Sequence, residues 1–155
     1  MKTIKNLIIC GKANAEVPVM KIREQAGGAE LWMCGTDTRE GADCYYELHD
    51  LPTVHEKVVR ELPSEVYEFG LPINNTICAL LVYAWLSGYK KIKVIGAPMN
   101  AKNEYQEQRP ALAYIIGWLN SKGLSIEWDV IPYTLNYGKK KDAKRAVEVE
   151  DAKKY

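Results

Sequence analysis

The sequence predicts a single α/β domain, in which a mostly parallel sheet carries helices on both faces. Three observations point there. Short apolar runs alternate with longer helical patterns, especially from residue 53 onward, as strands joined by helical crossovers do. Gly and Pro mark nearly every change of pattern. The length, 155 residues, is that of one domain. Such a domain buries roughly 70% of its unfolded surface and needs no disulfide or metal staple. The 47% hydrophobic and 26% charged content is ordinary for a globular chain.

Residues 4–10 (IKNLIIC) read as a buried strand followed by the turn Gly11-Lys12-Ala13-Asn14. Residues 16–25 suit a short helix with Pro18 in its first turn and Gly27-Gly28 as its stop. Residues 31–34 (LWMC) form a second strand and residues 44–49 (CYYELH) a third, rich in aromatics. Pro52 and Thr53 open an expected helix over 53–62, which Pro63 ends, and residues 65–69 (EVYEF) read as a fourth strand. The clearest helix spans 73–87, with Asn74, Asn75 and Thr76 as capping residues and Gly88 as its stop. A strand over 91–95 (KIKVI), a helix over 104–122 with Pro110 inside it, and a last strand over 124–130 (LSIEWDV) complete the chain. The second half therefore reads as two consecutive β-α-β units, 65–95 and 91–130. The usual doubly wound order puts strand 4–10 at the centre, between 31–34 and 91–95, which is a Rossmann-like arrangement. The weak point is the link over 35–43, whose nine residues are short for a parallel crossover.

The net charge of +1 is unevenly placed: residues 139–155 carry +3 and residues 1–138 carry −2. A near-neutral body is not the footprint of a nucleic-acid binder. The expected organisation is a domain over 1–138 and a mobile basic tail over 139–155. The longest apolar run, 77–86, is far short of a membrane span. Cys10, Cys34, Cys44 and Cys78 show no C-x-x-C or zinc spacing and read as free thiols of a reducing, cytoplasmic compartment. No cofactor motif is present: G-x-G-x-x-G and the Walker A pattern are both missing, as is a G-x-S-x-G elbow. With two histidines in different settings, no metal site is expected.

In open α/β sheets ligands bind beyond the carboxyl ends of the strands. That rule selects a small anionic or nucleotide-like ligand site built from Gly11, Lys12, Asn14, Asp37, Asn74, Asn75, Thr76 and Arg109. Gly11 lets backbone amides approach a phosphate, and the helix start at 74–76 offers free amides and a positive dipole end. Arg109 can hold a carboxylate or phosphate at two points. His49 and Asp50, at the end of strand 44–49, are the candidates for proton transfer, with Glu47 on the same strand face as His49. His55 is expected to begin a helix and to be exposed. The aromatics Tyr83, Trp85, Tyr89, Tyr114 and Trp118 suit packing or self-association into a homo-oligomer.

The succession L-W-M-C-G, Y-Y-E-L-H-D, L-P-I-N-N-T, Y-K-K-I-K-V-I-G-A-P-M and E-Y-x-x-Q-R-P-A-L-A-Y-I-I-G resembles small Rossmann-like proteins encoded by bacteriophages and prophages. The resemblance covers roughly residues 4–130. That group is distantly similar to pterin pyrophosphokinase-like and motility-accessory-like proteins and to bacterial sialyltransferases. The resemblance implies a nucleotide or nucleotide-sugar ligand, held by the loop at 11–14 and the helix start at 74–76, and transferase chemistry. Two other readings stand beside it. One is a non-catalytic phage accessory protein that sequesters a host signalling nucleotide, and the other is a module that interacts with a host or virion protein.

Overall fold

The structure is a computed structural model and describes residues 5–97 and 108–128. Among the described residues five strands form one sheet in the order β3-β2-β1-β4-β5: β1 (Asn6–Cys10), β2 (Glu30–Cys34), β3 (Cys44–Tyr46), β4 (Lys91–Ile95) and β5 (Ser125–Trp128). Every pairing is parallel, so strand β1 is central, between β2 and β4 as expected. β1 is buried on both faces from Leu7 to Cys10, which suits its near-continuous apolar run. β4 instead alternates, with Ile92 and Val94 buried in the core under α2 and α3 and Lys91 and Lys93 exposed on the other face.

Among the described residues three α-helices accompany the sheet: α1 (Val19–Ala26), α2 (Thr76–Leu86) and α3 (Gln108–Ser121). α1 buries Val19 and Ile22 against Ile8, Cys10, Leu31 and Met33 on one face, and ends at Gly27 in the left-handed conformation that glycine tolerates. α2 and α3 cover the opposite face, packing Leu80, Val82, Leu112 and Ile115 with Leu7, Ile9, Ile92 and Val94. α2 carries no charged residue and is buried almost all round, as its composition requires.

Three expectations from the sequence are corrected. Residues 53–62 form no helix, although Val54, Val58 and Leu62 repeat at helical spacing. The segment runs along the outer edge of β3 instead, where Val59 bridges Tyr46 in parallel. The Glu47 amide donates to the Val59 carbonyl (2.9 Å), and the Val59 amide donates to the Tyr45 carbonyl (2.8 Å). The gain is tertiary: the segment satisfies backbone groups of an open sheet edge. Residues 65–69 are no strand, so there is no β-α-β unit over 65–95. Ser64–Tyr67 make a 3-10 turn that buries Val66, and the helix α2 crosses over directly from the β3 side to β4. Finally, β3 stops at Tyr46, three residues before the expected end at His49.

The link over 35–43 does join two parallel strands without a crossover helix. The proposed tail, residues 139–155, lies outside the described residues, as do residues 104–107 of the expected helix 104–122 and residues 129–130 of the last strand.

Candidate functional site

All five strands are parallel, so the loops after them gather at one edge of the sheet. The strand order reverses between β1 and β4, and there the two following loops are in direct contact. The Gly11 amide donates to the Ile95 carbonyl (2.8 Å) and the Ala13 amide to the Gly96 carbonyl (2.9 Å). A side chain on Gly11 would place its Cβ 2.5 Å from the Gly96 oxygen. Gly96 itself sits at φ +63° with Asn14 Oδ1 against it. Gly11 is therefore required by the contact between two backbones.

Arg39, which the sequence reading passed over, organises the neighbouring loop. Its guanidinium, 12% exposed, donates through Nε and Nη2 to the Asp37 carboxylate (3.1 and 2.8 Å). Nη1 reaches the carbonyls of Asn14 (3.0 Å) and Val17 (2.9 Å), and Nη2 reaches the Gly11 carbonyl (3.2 Å) and Asn14 Oδ1 (3.1 Å). One planar fork thus ties the loop after β2 to the loop after β1, in place of a crossover helix. The clue in the sequence is an Arg two residues after an Asp in a link too short for a helix. Burial alone would raise the Asp37 carboxyl, but hydrogen bonds and charge from Arg39, with Lys12 adding charge, hold it below the usual range. The hydrogen bond to Asp37 pushes Arg39 up, against the effect of burial. Burial also pushes the Cys10 thiol up, which Arg39 and Asn14 partly oppose. Gly11, Asn14 and Asp37, three of the residues expected to bind ligand, spend these hydrogen bonds inside this network.

Lys12 and Thr36 lie on its outer side. The exposed Lys12 Nζ donates to Thr36 Oγ1 (3.1 Å), and Thr36 Oγ1 lies 3.2 Å from Cys34 Sγ. Further along the edge, buried Glu47 accepts from the His49 amide (2.8 Å) and closes a turn. Glu47 and His49 therefore do not share a strand face, contrary to the expectation. The His49 ring is exposed and sets Nε2 3.1 Å from Thr76 Oγ1 at the start of α2. Asp50 adopts the left-handed conformation (φ +58°), and its solvent-exposed carboxylate faces Arg60 at 3.6 Å.

Asn75 caps α2: its Oδ1 accepts from the Cys78 amide (3.0 Å), and its Nδ2 donates to Asn74 Oδ1 (3.0 Å) and to Cys78 Sγ (3.1 Å). Burial pushes the Cys78 thiol up to about 11, with Asn75 and the Asn74 backbone opposing. Arg109 stands half-buried in the first turn of α3, the helix between β4 and β5 that also begins at this edge.

His55 overturns its expected exposure. Its side chain is 4% exposed and stacks on Tyr45, with ring centroids 3.6 Å apart. Nε2 donates to the Asp37 carbonyl at 2.5 Å.

A concavity of about 190 Å³ lies elsewhere, on the α1 face of the sheet, between Ile22 and Ala26 on one side and Lys91, Lys93 and Glu127 on the other. It is smaller than the roughly 300–1,000 Å³ of small-molecule sites. Among the described residues no cluster of three His, Cys, Asp or Glu side chains could hold a metal ion, and no helix is long and apolar enough to cross a membrane. Comparison with protein-family models, with curated proteins and with solved structures finds no match.

Proposed function

We propose that the protein binds a small phosphate-bearing ligand, a nucleotide or sugar phosphate, on the carboxyl edge of its sheet. The observation that carries this reading is a pair of outward polar contacts on that edge, Lys12 with Thr36 and His49 with Thr76. Each couples a group able to carry positive charge to a hydroxyl donor, and Thr76 stands at the positive dipole end of an eleven-residue helix. Arg109, starting α3 at the same edge, is a further anion contact. Gly11, Asn14, Asp37 and Asn75 then hold the edge in shape, and His49 is the residue for any proton transfer in a transferase reaction. The resemblance to phage-encoded Rossmann-like proteins supports a nucleotide or nucleotide-sugar over a simple anion.

The test is an amide-resolved NMR titration with inorganic phosphate, AMP, ATP and a UDP-sugar. Shifts should concentrate at Lys12, Thr36, His49 and Thr76. Lys12→Ala and His49→Ala should each weaken binding about tenfold, the equivalent of one lost charged hydrogen bond of roughly 1.5 kcal/mol. Shifts confined to Lys91, Lys93 and Glu127, or no saturable shift with any of these ligands, defeat the reading.

A further inference from the structure

We infer that His55 is a proton-sensitive latch on the loop that carries Thr36, Asp37 and Arg39. The loop over 35–43 has no regular structure of its own and is held from two sides. Arg39 ties it inward to the loop after β1. His55 ties it outward to the segment along the sheet edge, through the bond from Nε2–H to the Asp37 carbonyl. A carbonyl can only accept, so in the neutral ring the single proton sits on Nε2 and Nδ1 is a bare lone pair. That lone pair lies 3.6 Å from a carboxylate oxygen of Glu40, in the same loop.

Uptake of one proton from solvent at Nδ1 turns this repulsive contact into an ion pair and leaves the Asp37 bond in place. The ring then grips the loop at Asp37 and Glu40, three residues apart. Among the described residues, groups from three packed elements face the ring. From the loop come the Asp37 carbonyl and the Glu40 carboxylate, while the Asp37 carboxylate is engaged by Arg39. From β3 comes the Tyr45 phenol, stacked on the ring, whose hydroxyl donates to the Arg39 carbonyl (2.7 Å). From its own segment the Thr53 hydroxyl donates to the His55 carbonyl (3.2 Å). Protonation therefore adds a hold at Glu40 to the one at Asp37, and fixes the loop that carries Thr36 more tightly to the edge segment. Any effect on ligand affinity rests on the site proposed above, whereas the latch itself is read in the ligand-free protein.

The experiment is a pH titration of the full chain by NMR between about pH 5 and 8, the range in which histidine changes charge. The His55 ring and the amides of residues 36–40 should titrate with one shared midpoint. Glu40→Gln, at a side chain 81% exposed and so safe for folding, should move that midpoint to lower pH in the ring and the loop together. His55→Phe, which keeps the stack on Tyr45, should abolish the titration of the loop amides. Loop amides that stay still while His55 titrates, that titrate unchanged in His55→Phe, or that ignore Glu40→Gln overturn the latch. A His55 ring that does not titrate in the folded protein overturns it too. Sulfate, whose charge is constant over this range, then separates the two readings. Absence of sulfate binding with a shared midpoint intact counts against the ligand site alone.

Discussion

Gly11 and Gly96 meet backbone to backbone at the point where the strand order reverses, with room for no side chain between them. Gly11→Ala pushes a Cβ into the Gly96 carbonyl, and neither partner is a flexible side-chain end that can step aside. The expected loss is about 1–3 kcal/mol, the range for overpacking a closed site. The urea midpoint should fall while the slope of the transition stays unchanged. An unaltered midpoint means that the two loops separate easily and that their contact does not stiffen the edge.

Arg39→Met leaves the Asp37 carboxylate buried without its partner and strips a donor from three carbonyls. Removing one member of a buried ion pair typically costs about 3–5 kcal/mol. Combining it with Asp37→Asn removes the stranded charge, so the double variant should be less destabilised than the sum of the singles. Strict additivity in thermal or urea unfolding contradicts the pairing.

The same pair sets an acid limit on stability. Arg39 holds the Asp37 carboxyl below its ordinary value. A depressed pKa contributes stability that is fully present above the unfolded value, about 3.9 for aspartate. That contribution is lost as the pH falls below this value and on through the depressed folded value. Unfolding free energy measured from about pH 6 down to pH 2 should therefore fall less steeply in Asp37→Asn than in the wild type. Parallel profiles count against the assignment.

Asn75→Ala removes the side-chain acceptor of the Cys78 amide at the start of α2. The expected cost is about 1 kcal/mol, and Asn75→Asp should recover most of it, because aspartate is an equally good cap. Hydrogen exchange should speed up first at the Cys78 amide. A large drop in ligand affinity at unchanged stability would instead mark Asn75 as a ligand contact.

Much of the fold was legible because it rests on local chemistry. The apolar run in residues 7–10, the polar caps before α2 and the glycines after α1 and α2 each act within a few residues. The centre of the sheet, the helices α1, α2 and α3 and the convergence of loops at one edge follow from them. The site was legible as a set of loops, but not as roles. Nothing local distinguishes Asp37, committed to Arg39, from Asp50, turned out toward Arg60.

The sequence by itself determined the alternating parallel architecture and the edge at which the strand ends gather, since these depend on periodicity, caps and breakers. Only the tertiary structure decided the path of residues 47–69, the burial of His55 and the role of Arg39. Val54, Val58 and Leu62 keep helical spacing, yet the segment is extended because β3 offers Val59 unpaired backbone groups to satisfy. Arg39 and His55 are polar residues whose burial becomes favourable only when distant carbonyls and carboxylates come within hydrogen-bonding reach. Those partners lie up to 28 residues away in the chain, beyond the reach of any local pattern.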